Sequence, residues 1–518
     1  MPLAEPPHGL AGSRFLGTVS GHWPVFAVLA GVLVAISLVG LSRRRSPGVA
    51  GSGDVGAAQI VGWTTALVLP PVIYVAMFAA GFSVQSSIFA AMLGATVIFW
   101  VFGLVDEFVP ALVAVVATLI IGLAPPAVAL AGFSSPSLLL LLGVYALSAV
   151  ISSSGLSYRL MLRLLLRLPD APFWHQVTLL GSGYVLSPLM PSTNARLSLL
   201  TPVYKDMVAG LRLPARGPAI TALLAAMFGG AALFSPMMAT SKSSNIAALG
   251  MLPPQVQAEF SGLFWLVGAA VAAVGVTAIH LLALPRLFPS GEEAPLPRDH
   301  ITGQLADMGP MKPREWIAAG GFLFFLIGSA TVGWHHVKPP YLAGCVLLAL
   351  LLTGTLVRKE FQRQLDWPMI FFLLGIDSLM RIMNHLGLAQ SLARAVGHTF
   401  DFVDGRIAVF ILVALAVTLT VRLALPVTAG MLTAAAVLLP VAAAQGIHPW
   451  ICVFCTAMFS DISFFRHQGT NGLIQIRADG LLEQADERGF LRYNMLMNIA
   501  RVAVVFASIP WWKWLGLL

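Results

Sequence analysis

Four short polar stretches interrupt apolar parts of the sequence, and they hold the residue types best suited to binding a small ion or solute. They are residues 191–196 (PSTNAR), 241–245 (SKSSN), 426–430 (PVTAG) and 466–471 (RHQGTN). Hydroxyls and amides form hydrogen bonds, and the start of a helix presents free N–H groups and a positive dipole end, so such breaks suit an anion. Serine, threonine and glycine also serve close helix packing in membranes, but four such stretches together favour a binding site.

The candidate ligand-binding residues come from these stretches. We predict that the substrate is bound by Ser192, Thr193, Asn194, Ser243, Ser244, Asn245, Thr428, Gly430, Gly469, Thr470 and Asn471. Neither HExxH nor GxSxG accompanies them, so the sequence does not predict an enzyme and no catalytic residue is assigned.

Charged side chains also fall within these apolar parts of the chain. A central charge costs about 2.5 to 3.5 kcal/mol on insertion scales, so such groups must be paired or hydrated, and they mark functional sites. We predict that Arg196, Lys242, Arg422 and Arg466 offset the charge of a bound anion and that Asp461 is a proton site. Neither Lys242 nor Arg466 has an acidic residue within its own polar stretch.

The composition indicates that the elements around these residues fold in a lipid bilayer. Of 518 residues, 58% are hydrophobic and 10% are charged, and the mean hydropathy is +0.86. Apolar runs of roughly 20 residues recur, which is the length a helix needs to cross the hydrocarbon core. The net charge is +8, and most of the basic residues lie in short loops between apolar runs, where they indicate membrane topology. The predicted partners are therefore the bilayer and a small anionic substrate, not nucleic acid.

An all-α polytopic membrane protein is the predicted fold class. Uninterrupted spans are predicted at residues 23–41, 60–80, 84–104, 108–124, 135–153, 260–284, 315–333, 341–357, 368–386 and 490–511. Residues 219–250 and 449–474 each contain a polar stretch and are predicted to form two broken helices. Residues 174–209 and 407–444 are each divided by proline and small polar residues, which predicts two re-entrant hairpins.

Basic residues predict the orientation of these helices. With both chain ends placed outside, most of the 30 Lys and Arg residues fall in cytoplasmic loops. We therefore expect a multi-pass protein of the bacterial inner membrane. Arg159, Arg163 and Arg167 lie one turn apart among leucines, which predicts an amphipathic helix with one polar stripe, lying flat in the cytoplasmic interface.

The two halves of the sequence resemble each other. Residues 136–156 align with residues 368–388, sharing a proline and two glycines, and each segment precedes a predicted hairpin and broken helix. The charge count makes one hairpin enter from each side, which predicts an inverted-topology repeat. The predicted divisions are residues 1–107, N-terminal membrane helices including one extra helix; 108–284, the first inverted repeat; 285–314, a cytoplasmic linker; and 315–518, the second inverted repeat.

The helix that opens each half resembles the corresponding helix of the divalent anion:sodium symporter family. The segments are FSSPSLLLLLGVYALSAVISSSGL and DWPMIFFLLGIDSLMRIMNHLGL, and the ending IPWWKWLGLL also resembles the family. The resemblance, from residue 108 onward, implies a secondary transporter of small divalent or dicarboxylate anions. It further implies a homodimer in which each protomer has a scaffold domain and a transport domain that moves by an elevator mechanism.

In that family a Ser-Asn-Thr motif at each hairpin tip binds sodium and substrate. At the first tip, Ser192, Thr193 and Asn194 keep the residue types in a different order, and the facing loops of the broken helices correspond to the stretches ending at Asn245 and Asn471. The resemblance therefore implies sodium near Ser192, Asn194 and Asn245, and no other cofactor.

The second hairpin tip departs from the family pattern. Residues 430–432 are Gly-Met-Leu, and Thr428 is the nearest hydroxyl. The facing stretches instead carry the fixed cations Lys242 and Arg466, which can offset an anion's charge without sodium. Because a fixed cation cannot dissociate, we predict exchange, or proton-linked transport through Asp461. The alternatives are an ordinary sodium-coupled sulfate or dicarboxylate symporter, and a channel or non-transporting sensor on the same fold.

Overall fold

The computed structural model describes residues 55–188, 190–289, 298–388, 391, 403, 405–425, 427–463 and 471–518, although not the side chains of residues 55–59, 254, 300, 424 and 471. The predicted helix at residues 23–41 lies outside the described residues. Those described form helices and connecting turns with no strand, which confirms the all-α prediction.

The chain divides into two compact units, of which the first comprises Met1–Ala131 and Arg381–Ser391. Its described helices are α1 (Val55–Ala79), α2 (Val84–Val101), α3 (Phe108–Ile121) and α4 (Pro126–Ala129). Helix α2 begins where the Ser83 hydroxyl accepts a hydrogen bond from the backbone N–H of Ser86 at 3.1 Å. Helix α3 ends at Gly122, whose left-handed conformation (φ 75°) is the ordinary glycine stop.

The second unit comprises Gly132–Met380 and Leu392–Leu518. In chain order its helices begin with α5 (Ser137–Ser154), α6 (Leu156–Arg167), α7 (Pro172–Leu186), α8 (Thr193–Gly210), α9 (Pro218–Ala232), α10 (Ser243–Gly250), α11 (Pro254–Phe260), α12 (Phe264–Gly268) and α13 (Ala270–Leu287). They continue with α14 (Arg298–Asp307), α15 (Pro313–Ala330), α16 (Val332–His335), α17 (Pro339–Leu352), α18 (Arg358–Gln364) and α19 (Trp367–His385), whose last residues belong to the first unit. The last helices are α20 (Ile407–Ala424), α21 (Val427–Ala444), α22 (Pro449–Ser460), α23 (Asn471–Ala478), α24 (Leu481–Gln484), α25 (Glu487–Ala507) and α26 (Ile509–Trp514).

Most of the described helices agree with the predicted membrane spans within about five residues. The prediction of one uninterrupted span at residues 260–284 is wrong, because turns at residues 261–263 and 269 divide this segment among α11, α12 and α13. Among the described residues, seven helices are long and apolar enough to cross a membrane. Each predicted hairpin is a pair of helices separated by a short break, α7 with α8 and α20 with α21. Each predicted broken helix is also interrupted, between α9 and α10 and between α22 and α23. The re-entrant and inverted orientation of these elements stays a prediction.

The first hairpin packs closely against the first broken helix. A Cβ atom on Gly183 of α7 would lie 2.2 Å from the carbonyl carbon of Gly230 in α9, so the two backbones touch only because both residues are glycine. Helix α9 is almost entirely buried, as is α22. The first half of each broken helix is therefore enclosed by protein, which is the condition for irregular backbone at membrane depth.

Helix α6 differs from the predicted polar stripe at one residue. Arg163 and Arg167 are exposed, but Arg159 is only 2% exposed. Its Nε donates to Glu315 Oε1 at 2.8 Å, and its Nη1 donates to the Gly309 carbonyl at 2.7 Å. The prediction of an exposed Arg159 is wrong because a carboxylate and a turn from the linker region satisfy its guanidinium inside the protein.

Candidate functional site

Two short 3₁₀ turns, Ser235–Met237 and Ala239–Ser241, interrupt the first broken helix between α9 and α10. Such an interruption leaves backbone carbonyls without helical partners. Asn245 supplies donors for two of them, because its Nδ2 bonds the carbonyls of Ser235 at 2.8 Å and Met238 at 2.9 Å. Asn245, predicted as a ligand-binding residue, therefore also fixes the shape of the break.

The tip of the first hairpin lies against this break. Ser192 caps α8, since its hydroxyl accepts a hydrogen bond from the Ala195 backbone N–H at 3.3 Å. One residue earlier, the Pro191 carbonyl accepts from the backbone N–H of Ser243 at 3.0 Å. The structure thus brings together the two polar stretches that the sequence places in the first repeat.

Arg196 ties the same two segments together from within. Its side chain is fully buried, and all three guanidinium nitrogens donate hydrogen bonds to protein oxygens. The acceptors are the carbonyls of Ala231 (3.0 and 2.8 Å), Ser241 (2.7 Å) and Met190, and the hydroxyls of Thr193 (3.2 Å) and Ser235 (2.5 Å). Arg196 can therefore contribute its charge to an anion site, while its donors hold the hairpin tip to the break.

Three buried oxygen atoms in these segments have no hydrogen-bond partner among the described residues. They are Asn194 Oδ1, Ser241 Oγ and Asn245 Oδ1. A buried polar atom without a partner is costly, so each one calls for an explanation. Amide and hydroxyl oxygens can coordinate hard cations. Asn194 and Asn245 are two of the residues near which the family resemblance implies sodium.

A buried ion pair joins the two broken helices. Lys242, the residue before α10, donates from Nζ to Oδ1 of Asp461, the residue after α22. Arg501 of α25 places its Nη1 3.5 Å from Oδ2 of the same carboxylate. Lys242 has no acid in its own polar stretch, and its partner Asp461 instead follows α22.

These three side chains form a charge triad in which two cations face one anion. Arg501 Nη1 and Asp461 Oδ2 otherwise have no hydrogen-bond partner among the described residues. The cleft beside the triad, also lined by Thr193 and Gly472, has a volume of about 20 Å³, which holds about one water molecule. The triad therefore carries one excess positive charge beside a small cleft, an arrangement that attracts an anion.

Helix α25 supplies residues that the sequence analysis missed. Asn494 and Asn498 both donate from Nδ2 to the Ser463 carbonyl, at 3.1 and 2.8 Å, and so hold the chain just after α22. With Arg501 they lie four and then three residues apart, so they share one helix face. A polar stripe in an otherwise apolar span indicates a functional helix face, so the sequence contained a pattern from which these three residues could have been predicted.

The second hairpin tip is built around Arg422. Its Nε donates to the Ser460 carbonyl at 2.9 Å, and its Nη1 donates to the Leu425 carbonyl at 2.6 Å. A Cβ on Gly430 would lie 2.9 Å from Arg422 Cδ, so the glycine leaves room for this side chain. Arg422 thus bonds the backbone at the ends of α20 and α22, and a direct role for it or Gly430 in ligand binding stays a prediction.

The remaining predicted residues are placed less completely. Thr428 and Ser244 are buried. Asn471 begins α23, but its side chain lies outside the described residues, as do Arg466, Gly469 and Thr470 entirely. Among the described residues there is no group of three or more His, Cys, Asp or Glu side chains that could hold a metal ion. A cation here would need neutral oxygen ligands of the kind found at the first tip.

A family model matches nearly the whole described chain. Residues 57–518 match the sodium:sulfate symporter transmembrane region. The chain is 22% identical to YflS of Bacillus subtilis, a proposed malate transporter, over 75% of this chain and 82% of that protein. It is 24% identical to the inner membrane protein YbhI of Escherichia coli, over 56% of this chain and 62% of that protein.

Two further similarities cover less of the sequence or have a low structural similarity score. A membrane protein of Cupriavidus necator is 23% identical over 48% of this chain and 50% of that protein, so the match spans less than two thirds of either this relative or YbhI. The YdaH transporter of Alcanivorax borkumensis matches with a TM-score of 0.49 and 14% identity, over 76% of this chain and 88% of that chain.

Proposed function

Because this chain belongs to the sodium:sulfate symporter family, whose members are membrane transporters and not enzymes, we propose that it is a secondary active transporter of small divalent or dicarboxylate anions. The multi-pass character follows from the seven apolar helices among the described residues. The bacterial inner membrane, the homodimer and an elevator-type movement of a transport domain against a scaffold domain are part of the proposal.

The observation that carries the proposal is the charge triad of Lys242, Asp461 and Arg501. In a low-dielectric interior, one excess positive charge strongly favours an incoming anion. One carboxylate or sulfate oxygen could take up the free donor of Arg501, while the Asp461 carboxylate holds Lys242 in place. Because the cleft has room for only about one water molecule, a dicarboxylate would enter only after the hairpin tips and the broken helices separate.

Asp461 gives this site a role in coupling. When no substrate is bound, its carboxylate neutralises one of the two cations. If Asp461 takes up a proton, Lys242 and Arg501 both become available to a dianion, and proton release returns them to the carboxylate. Exchange or proton-linked transport is therefore the coupling that we favour.

A sodium-coupled mechanism is the second candidate, and a different observation favours it. The unpartnered oxygens of Asn194, Ser241 and Asn245 lie in the first hairpin tip and its facing break, where the family resemblance implies a sodium site. The second tip has Arg422 and Gly430 packed together at the corresponding place. This asymmetry supports one sodium ion at most, whereas the ordinary family mechanism would use both tips.

Transport in proteoliposomes tests the proposal. Protein is reconstituted with unlabelled malate, succinate or sulfate inside, and labelled anion is added outside in sodium or in choline medium. We expect counterflow of at least one of these anions in choline, faster with a proton gradient if Asp461 couples. A steep sigmoidal dependence on sodium would overturn the coupling proposal, and the absence of counterflow for every anion in both media would overturn transport itself.

A further inference from the structure

A groove separates α6 from α7. It has a volume of about 340 Å³, far larger than one water molecule and within the range of pockets that bind small molecules, about 300 to 1,000 Å³. Its floor is apolar and includes Leu160, Leu164, Val185 and Leu186. Leu160 and Val185 are also substantially exposed, so the groove opens to the outside of the unit.

Two cations stand at the edge of this groove. Arg163 and Arg167 both line it, are exposed, and lie one helical turn apart on α6. Within the described part of the chain, neither has a carboxylate within ion-pair distance, and the contact of Arg163 is with Met311 Sδ at 3.9 Å. The nearest acid in sequence, Asp170, places its Oδ1 2.8 Å from Nε2 of His175. The groove therefore combines an apolar floor with two uncompensated guanidinium groups.

Two serines of the groove walls add an independent observation. Ser157 and Ser182 both line the groove, each residue is only 4% exposed, and neither hydroxyl has a hydrogen-bond partner among the described residues. Serine in a helix ordinarily bonds a carbonyl of its own preceding turn. Here one hydroxyl from each wall is left free for an oxygen atom of a ligand.

We propose that this groove binds one anionic phospholipid. The phosphate headgroup pairs with Arg163 and Arg167, because guanidinium groups form paired hydrogen bonds with phosphate oxygens. An acyl chain lies along the leucine and valine floor, and the ester or phosphate oxygens accept hydrogen bonds from Ser157 and Ser182. A basic pocket beside an amphipathic helix in the cytoplasmic interface is the chemistry that recognises the anionic lipids of that leaflet. A soluble phosphate ester would leave the apolar floor empty.

Binding to the purified, delipidated full-length protein in detergent tests this proposal. The probes are phosphatidylglycerol, phosphatidylcholine with the same acyl chains, and glycerol 3-phosphate, with complexes counted by native mass spectrometry. We expect phosphatidylglycerol to bind about tenfold more tightly than phosphatidylcholine, since each basic residue contributes to the attraction of an anionic headgroup. Glycerol 3-phosphate binding as tightly as phosphatidylglycerol would overturn the lipid assignment.

Matched variants locate the site. Arg163→Gln/Arg167→Gln should bring phosphatidylglycerol to the affinity of phosphatidylcholine without changing the elution volume or the unfolding temperature. The control Arg358→Gln/Arg363→Gln removes two exposed charges from α18 and should keep the preference. An equal loss in both variants would mean attraction by surface charge alone, which contradicts the proposal. Ser157→Ala/Ser182→Ala should weaken the binding of both phospholipids several-fold. If neither this variant nor the arginine variant changed lipid binding, the lipid would bind elsewhere.

Discussion

Lys242 and Asp461 are 219 residues apart in the sequence, yet their buried side chains form an ion pair between the breaks of the two broken helices. Each residue flanks a helix end, Lys242 before α10 and Asp461 after α22. The pair therefore fastens one irregular segment to the other. A movement of the site during transport would carry both breaks together as long as this contact is kept.

The first prediction concerns the stability of this pair. Lys242→Gln or Asp461→Asn alone should lower the free energy of unfolding by about 3 to 5 kcal/mol. Lys242→Gln takes from Asp461 its hydrogen-bonded partner, and Asp461→Asn leaves Lys242 and Arg501 as buried cations without their acid. The double variant Lys242→Gln/Asp461→Asn should recover much of that loss, although Arg501 then lacks its acid. Thermal unfolding of the purified protein in detergent measures both effects.

The control for this prediction is the more exposed pair of Arg314 and Glu360, whose side chains are 35% and 15% exposed. Arg314→Gln should cost about 1 kcal/mol or less, as measured for pairs near the surface. If Lys242→Gln were no more destabilising than Arg314→Gln, the buried pair would not be fastening the two breaks.

The second prediction separates binding from folding at Arg501. Arg501→Gln removes the excess positive charge of the triad, so the KM for anion uptake should rise about tenfold or more, in line with a lost charged hydrogen bond. Arg492→Gln changes an exposed arginine of the same helix and should leave uptake unchanged. Uptake kinetics in proteoliposomes measure this, and equal kinetics in both variants would remove Arg501 from the site.

The third prediction contrasts two asparagines near the first hairpin tip. Asn194→Ala should abolish uptake with little change in unfolding temperature, because Asn194 Oδ1 has no protein partner among the described residues. Asn245→Ala should lower both the uptake rate and the unfolding temperature, because Asn245 Nδ2 donates hydrogen bonds to two carbonyls of the break. Full uptake by Asn194→Ala would show that the free oxygen at this tip binds neither substrate nor cation.

The fourth prediction is a pH dependence of stability at Glu360 in α18. Burial alone would raise the pKa of this carboxyl, but hydrogen bonds from Arg314 and from the Val357 backbone N–H, with the charge of Arg314, lower it below its ordinary value. A lowered pKa in the folded state stabilises the protein above the unfolded value of about 4.3, and this contribution is lost as pH falls through the folded value. The unfolding temperature of the wild type should therefore fall more steeply below about pH 4 than that of Glu360→Gln.

The fifth prediction concerns topology. Both chain ends should face the periplasm, because that orientation places the basic loops inside. Alkaline phosphatase fused after Leu518 should be active in cells, and a cytoplasmic reporter at the same position should be silent. The opposite pattern would reverse the entry side assigned to each hairpin and the leaflet assigned to α6.

Sequence reasoning located most of the described helices and the polar breaks, because hydropathy and interruption are local properties of the chain. It missed the turns that divide residues 260–284, which no polar stretch marks. It could not pair Lys242 with Asp461, since ion pairs between distant segments depend on how the helices pack. It also predicted an exposed Arg159, because Arg159, Arg163 and Arg167 are evenly spaced in the sequence and nothing local distinguishes them. The position of Glu315 and of the Gly309 carbonyl against α6 distinguishes the first arginine from the other two.

The buried pair of Arg159 and Glu315 also has a consequence for biosynthesis. The ribosome makes these residues 156 positions apart, which at about 5 to 20 residues per second means a delay of about 8 to 30 seconds. During that time the guanidinium of Arg159 has no carboxylate partner and must stay hydrated at the level of the lipid headgroups. Helix α6 can therefore pack only after α15 has been synthesised. The half that is made first therefore cannot finish its assembly alone. Pulse–chase labelling should find the chain ending at residue 289 short-lived by itself and longer-lived when residues 298–518 are made in the same cell.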